Sequence, residues 1–237
     1  MKKVAEYSAY VVVFAVLCAA VLPAQAIAHL SAYRTPLFIV TEAFEPLIFP
    51  PDADLKGMDY EITEAVFQSL NIPIIIEFYP FKRCLVMLKN KKADGLIDLL
   101  ATPERRNFMF FPDEPLSKSA DVIFHLADRP VKINSLEDLK HYRVETQLGY
   151  DYPNGLLKFL VNREKVETLE QNLNKLVLKR IDIIVENCIV GRFAVKTMGF
   201  SHKVATTGLP GEFINRYHIG FAQKKGYRRL AENSAMH

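Results

Sequence analysis

The 237-residue sequence has little of what marks a multispanning membrane protein, a nucleic-acid binder or a disulfide-stapled domain. Long apolar runs are confined to the first thirty residues, so the rest reads as a soluble chain. Charge of one sign is missing: 30 Lys and Arg stand against 27 Asp and Glu, a net of +3. That balance, with no basic run interleaved with aromatics, argues against a nucleic-acid partner. Cysteine is scarce. Cys18 falls in the leading apolar run, and Cys84 and Cys188 are distant and without a framework, so free thiols are expected. Catalytic signatures are lacking too: there is no nucleophile elbow, no zinc-binding H-E-x-x-H and no phosphate-cradling glycine loop. His125, His141, His202 and His218 are scattered rather than spaced as ligands. The expectation is a chain that is no enzyme and carries neither cofactor nor metal.

What is present begins with a leader. Lys2 and Lys3 precede an uncharged apolar run from Tyr10 to Leu22, and small residues follow, with Ala24-Gln25-Ala26 or Ala26-Ile27-Ala28 as an A-x-A cleavage site. That order is the secretory pattern, and the run is too short to span a bilayer comfortably. Leu17 before Cys18 is too large for a lipobox, which excludes lipidation there. Residues 1–28 are therefore expected to be a signal peptide, and the mature chain to be periplasmic, keeping roughly 210 residues, enough for two small lobes.

The mature region alternates β-rich runs with helical patterns, the signature of a largely parallel sheet flanked by helices. Strands are expected at Leu37–Thr41, Ile74–Phe78, Gly95–Leu99, Val122–His125, Arg143–Thr146, Ile181–Val185 and Tyr217–Ala222. Ile74–Phe78, which opens on three consecutive isoleucines, reads as buried on both faces. Helices are expected at Asp59–Leu70, with Ile62, Ala65, Val66 and Leu70 on its inward face, and at Arg83–Lys89, Glu170–Leu178 and Cys188–Met198. Shorter helical stretches fall near Ser135–Lys140 and Tyr152–Val161. Thr102-Pro103-Glu104 opens another, with Thr as N-cap and Pro in the first turn. Breaks at Phe111–Pro115 and Leu209–Gly211 bracket an inserted unit, so the chain crosses between lobes twice. The expected division is a first lobe over 29–116, a second over 117–210, and a return to the first over 211–237.

Six segments, taken in order, resemble the family 3 extracellular solute-binding proteins, the polar amino-acid receptors of ABC importers. They are Thr41-Glu-Ala-Phe-Glu-Pro-Leu-Ile-Phe49, Lys56-Gly-Met-Asp-Tyr-Glu-Ile62, Lys92-Ala-Asp-Gly95, Thr102-Pro-Glu-Arg105 with Phe110-Phe-Pro112 and Pro115-Leu116, Ser135-Leu-Glu-Asp-Leu139, and Arg180-Ile-Asp-Ile-Ile184. Each is weak alone; their order across nearly the whole mature chain is specific. The resemblance implies an α/β fold of the two-lobed type II periplasmic-binding-protein class, each lobe a mainly parallel sheet flanked by helices, joined by two hinge strands. It also implies a monomer that captures a small ligand and meets an ABC-transporter permease.

Such a ligand needs a cation for its carboxylate, an apolar wall, and acceptors for an ammonium. Arg105 falls where the family places its carboxylate-binding arginine, and a guanidinium offers a bidentate fork. Arg106 next to it is expected outside the cleft. Phe44 matches the family's aromatic wall, and Phe81 or Tyr79 supplies an opposite one. Glu42 matches an acidic position at the cleft mouth, and Thr102 caps the turn that carries Arg105. Gln147, Gly149, Tyr150 and Asp151 lie between a strand and a helix, where open α/β sheets place ligands.

Two departures bear on function. The family's ammonium-binding carboxylate falls at Asn187, which accepts a hydrogen bond but does not neutralise a cation. Glu186 next to it substitutes only if it points inward. After Tyr227–Asn233 the family continues through a longer helical segment, so a shortened chain is one expectation. The leading expectation is a periplasmic binding protein for an amino-acid-like or other carboxylate ligand. The alternatives are a sensor or degenerate relative, and a dehydratase of the same fold acting on cyclic carboxylates.

Overall fold

The computed structural model describes residues 35–161, 163–211 and 213–234; the expected leader lies outside them. Among the described residues no helix is long and apolar enough to cross a membrane. The first half contains β1 (Leu37–Thr41), α1 (Met58–Ser69), β2 (Ile74–Phe78), α2 (Phe81–Lys89), β3 (Gly95–Leu100), a single turn α3 (Pro103–Arg106) and the short β4 (Met109–Phe110). The second contains β5 (Ser117–Leu126), β6 (Val144–Gln147), β7 (Arg163–Val166), α4 (Leu169–Val177), β8 (Ile183–Asn187), α5 (Cys188–Thr197) and β9 (Val204–Gly208). Two 3-10 turns, Leu136–His141 and Pro153–Lys158, flank β6, and β10 (Ile214–Ala222) and α6 (Tyr227–Ser234) follow.

Strand pairing divides these elements into two groups sharing two long strands. In the first, β1 pairs in parallel with β2 and β3, and β10 runs antiparallel to β3 and β4. In the second, β6 pairs in parallel with β7 and β8, and β5 runs antiparallel to β8 and β9. The groups meet where Ser117–Ala120 of β5 lies against Ile214–Tyr217 of β10. From Asp121 onward β5 leaves β10 and pairs with β8 instead. One strand thus belongs to the first group over its opening residues and to the second over the rest, and β10 makes the return. This is the two-lobed, twice-crossed class expected from the sequence.

Each lobe has its own core. Val40, Phe81, Cys84, Leu88, Leu96 and Leu99 fill the first, and Ile123, Leu139, Val144, Leu156, Ile183 and Val185 the second. Tyr150 packs against both. Asp94 ties the last helix to the first lobe by accepting from Phe38 N, from Tyr227 Oη at 2.7 Å and from Lys224 Nζ. Cys84 is buried, Cys188 partly so, and both are free thiols.

Two expectations are corrected. β2 is an edge strand, not one buried on both faces: its residues alternate and Ile75 is 50% exposed. Three consecutive isoleucines cannot distinguish a strand covered on two faces from one covered on a single face. The inward stripe of α1 is Asp59, Thr63 and Phe67, while Ala65 is exposed. A buried aspartate turns that helix relative to its purely apolar pattern.

Candidate functional site

The floor of the interlobe cleft is built where the crossing strands exchange partners. Asp121 sits at the point where β5 changes sheets, and its carboxylate accepts from Asn215 Nδ2 at 2.7 Å. Asn215 Nδ2 also reaches Tyr217 Oη, at 3.2 Å. Asn187, at the end of β8, accepts from Ser119 Oγ and donates to Tyr217 Oη, both at 3.0 Å. Its Oδ1 further accepts from the N–H groups of Ile189 and Val190, so it is also the N-cap of α5.

The walls come from both lobes. Thr102 caps α3 by accepting from Arg105 N, which places the arginine at the turn's inner side. Arg105 is only 5% exposed, yet among the described residues no ion pair reaches it; its guanidinium donates to Leu100 O at 2.9 Å and, across the cleft, to Gly149 O at 3.1 Å. It also lies 5.3 Å from the Phe81 ring centroid. From the opposite lobe, Tyr150 enters between two aromatics, with centroids 6.3 Å from Phe44 and 5.3 Å from Phe81. Its hydroxyl donates to Glu42 Oε1 at 2.7 Å, while Glu42 Oε2 accepts from Phe81 N. Gly149 lets this insertion happen: its φ is +87°, and a Cβ there would lie 3.3 Å from Lys82 Cα.

These groups enclose a cavity of about 40 Å³ lined by Arg105, Glu42, Phe44, Phe81, Tyr150, Asp151 and Glu186 among others. Ligand clefts usually offer roughly 300–1,000 Å³, so a guest of amino-acid size requires Tyr150 to move or the lobes to part. Two larger chambers adjoin it, of about 440 and 390 Å³, and Tyr150 lines all three.

Arg105, Phe44, Glu42, Phe81, Tyr150 and Asp151 are thus brought together on one cavity. Thr102, Gln147 and Asn187 are not on its wall: Thr102 acts as a cap, Gln147 faces the two outer chambers, and Asn187 spends its polar atoms inside the protein. Arg106 is exposed and stacks on Phe111. Glu186, which the sequence left open, does line the cavity, as do Asp98, Asp121, Asn215 and Tyr217, which it did not suggest.

Burial acts on the charges in opposite senses. It pushes Asp121 up to about 6, Glu42 to about 7 and Glu186 to about 8, the last helped by the Asp121 charge. It pulls Arg105 down, with Asp151 and Glu104 opposing. The cavity therefore sets a guanidinium able to hold an anion beside three carboxyl groups that titrate around neutrality and gain most from a cation.

Asn187 is expected to be structural in effect. Replacing it with alanine removes a cap, worth about 0.5–2 kcal/mol, and leaves the buried Ser119 hydroxyl without its acceptor, at about 1–3 kcal/mol, while Tyr217 Oη keeps Asn215. Thermal unfolding of Asn187→Ala should show a loss of about 2–4 kcal/mol. Asn187→Asp keeps the cap acceptors and should recover part of it. A loss in the alanine variant below about 0.5 kcal/mol, the level of an ordinary surface change, would remove Asn187 from this role.

Against known proteins, the family model for bacterial extracellular solute-binding proteins, family 3, matches residues 37–187. The probable amino-acid-binding protein YxeM of Bacillus subtilis (strain 168) is 24% identical over 164 residues, which are 68% of this chain and 62% of that protein. The match therefore spans less than two-thirds of that relative. Among solved structures, the arginine-, lysine-, histidine-binding protein ArtJ of Geobacillus stearothermophilus superposes with a TM-score of 0.74 at 20% identity, covering 85% of this chain and 88% of that one. A histidine kinase sensor domain with similarity to periplasmic binding proteins gives 0.72 at 16%, covering 86% and 88%. At these identities the structures establish the fold alone. The family match covers more than half of the sequence and runs through both groups of strands, up to the Asn187 that closes the cleft floor, and on that ground the chain belongs to the bacterial extracellular solute-binding proteins, family 3.

Proposed function

We propose that the protein captures a small carboxylate-bearing ligand of amino-acid type in the periplasm and presents it, as a monomer, to the membrane permease of an ABC importer. The observation that carries this reading is Arg105: a buried guanidinium on the cavity wall, fixed by a carbonyl from each lobe and, among the described residues, lacking an ion pair. A buried charge without a counter-charge is costly, and a guanidinium with five N–H donors has some left for an incoming carboxylate. Asp121 and Glu186 lie on the same cavity and supply the ammonium acceptors in place of Asn187. Lobe one takes residues 29–116 and 211–237, and lobe two 117–210, a division supported by the points where β5 and β10 change partners. Binding rather than catalysis is the role in keeping with the family, and a relative named as a probable amino-acid-binding protein supports the ligand class.

Thermal unfolding of the secreted chain against a panel of amino acids, opines and small carboxylates tests this. Ligand at a hundredfold over its Kd stabilises by about 2.7 kcal/mol, a shift of about 5–10 °C at this size. Arg105→Ala should unfold cooperatively but lose the shift, and Arg105→Lys should lose most of it, since a point charge does not replace the fork. A carboxylate that shifts the wild type and the Arg105→Ala variant equally would sink the assignment.

A further inference from the structure

The centre of the cleft is taken up by the protein itself. Gly149 and Tyr150, just past β6, cross from the second lobe and meet each kind of wall that the first lobe offers. The Gly149 carbonyl accepts from Arg105 Nη2 at 3.1 Å, using a donor that a carboxylate would otherwise take. The Tyr150 ring stands edge-on to both Phe44 and Phe81, with interplanar angles of 72° and 70°, an arrangement that aromatic pairs prefer. Its hydroxyl donates to Glu42 Oε1 at 2.7 Å, and burial with the Glu42 charge keeps that hydroxyl protonated. A cation, an aromatic slot and an acidic acceptor are all answered by two consecutive residues. The cavity they leave, about 40 Å³, is too small for a guest of amino-acid size.

The backbone is shaped for this approach. Gly149 needs to be glycine twice over: its φ is +87°, and a Cβ would lie 3.3 Å from Lys82 Cα and 3.3 Å from Phe81 Cδ1. The start of α2 therefore comes as near to the second lobe as a residue without a side chain allows. Within its own lobe the Tyr150 N–H donates to Gln147 O at 3.3 Å, and the ring rests on the second core. The hydroxyl and the ring contacts with Phe44 and Phe81 all reach the first lobe. Farther out, Phe49 meets Phe193 of α5 edge-on at 5.7 Å, so the lobes touch there as well. One side chain thus bridges two cores and satisfies the polar and aromatic groups of the cleft.

We propose that Gly149 and Tyr150 form a built-in plug, a tethered occupant that latches the two lobes together and that any guest of the central cavity must displace. The inference goes beyond ligand capture, because it concerns the clamp before a ligand arrives. Its consequence is a threshold. A guest binds only by giving Arg105, the aromatic slot and Glu42 more than the plug gives them. Its apparent affinity is scaled down by the fraction of molecules in which the plug is withdrawn. Loss of the bond to Glu42 alone should raise that fraction about tenfold.

Small-angle X-ray scattering of the secreted chain is the test, with p-cresol, the tyrosine side chain as a free molecule, as the probe. The wild type alone should scatter as the closed form, and p-cresol should leave its radius of gyration unchanged. Tyr150→Ala should be wider, and p-cresol should return it to the wild-type radius by refilling the slot. Tyr150→Phe keeps the ring and its packing, so it serves even if the alanine variant does not fold. In it the Phe81 amide, which donates to Glu42 Oε2, should exchange its hydrogen about tenfold faster than in the wild type. Equal radii for the wild type and Tyr150→Ala overturn the proposal. So does p-cresol that leaves the alanine variant wide, or a Phe81 amide that exchanges no faster in Tyr150→Phe. None of these measurements uses a carboxylate. If they come out as expected but no carboxylate stabilises the wild type or Tyr150→Ala, the plug stands and the ligand reading falls. If a carboxylate stabilises the wild type through Arg105 while the radii are equal, the plug falls and the ligand reading stands.

Discussion

Asp98→Asn is expected to raise the stability of the protein at neutral pH and to flatten its dependence on pH. Asp98 lies within β3 with φ +59°, at a bulge: Leu99 pairs with His218 and Leu96 with Gly220, so two residues of β3 face one of β10. The other non-glycine residues of positive φ, Asn71, Lys91 and Lys179, each follow a helix. The bulge drives Asp98 inward against the carboxyl of Asp59, and neither Asp98 oxygen receives a bond from an N–H or hydroxyl donor. Asp59 instead accepts from Ser117 Oγ at 2.5 Å. Burial first, and the Asp59 charge second, hold the Asp98 carboxyl well above the carboxylate range, so it keeps its proton and shares it with Asp59.

The sign follows from proton counting. An unfolded aspartate titrates near pH 3.9. Above that, the native chain holds a proton that the unfolded chain has released, so stability is complete below pH 4 and falls by about 1.4 kcal/mol per pH unit until the folded group ionises. Asparagine presents a permanent N–H donor to Asp59, has nearly the same shape and tolerates the left-handed backbone. Urea midpoints from pH 5 to 8 should therefore fall less steeply in Asp98→Asn than in the wild type, and the curves should cross or diverge toward neutral pH. Glu42, Asp121 and Glu186, which face the same cavity and titrate at about 7, 6 and 8, leave a residual slope of the same sign in both. Parallel curves would mean that Asp98 is ionised in the native state.

Much of this architecture is legible in the sequence because it rests on local rules. Thr102-Pro103-Glu104 announces a helix start, and the leucines of α4 at 169, 173 and 176 announce their buried face; both are as found. The order of short strands and helices, with breaks near 111–115 and 209–211, is enough for a twice-crossed α/β chain. What escapes is what neighbours decide. β7 and β9, with sequences Arg163–Val166 and Val204–Gly208, carry charges, threonines and a glycine, and are strands because β6 and β5 offer them edges. The bulge at Asp98 has no glycine or proline to mark it. Strand alternation set Glu186 and Asn187 on opposite faces, but β8 ends there: Asn187 turns to cap α5 and both side chains are buried. The role of Tyr150 depends on a neighbour, Gly149, whose φ is visible only in three dimensions.

The largest single destabilisation is expected at Gly57. This residue stands immediately before α1 with φ +96° and ψ +157°, a region that is essentially glycine's alone. A Cβ there would lie 2.4 Å from Leu47 O and 2.7 Å from Leu47 C, both backbone atoms of the loop that carries Phe44 into the cleft. That loop is held to α1 by Asp59 N–H donating to Leu47 O, and closed on itself by Phe44 and Ile48 exchanging backbone bonds. Neither side can yield without breaking these contacts. Backbone strain of about 1–3 kcal/mol and overpacking of about 1–3 kcal/mol together make Gly57→Ala about 3–5 kcal/mol less stable, against a total of about 5–15 kcal/mol for a domain. Gly199→Ala is the matched control, since φ there is +72° but a Cβ would meet nothing within 4 Å; it should cost only the strain, about 1 kcal/mol. Because Phe44 and Glu42 both hang on the displaced loop, whatever Gly57→Ala protein remains folded should also respond less to ligand, whereas Gly199→Ala should respond as the wild type does. Equal midpoints in urea for the two alanine variants would show that the contact with Leu47 relaxes freely, and would detach the aromatic wall of the cleft from the start of α1.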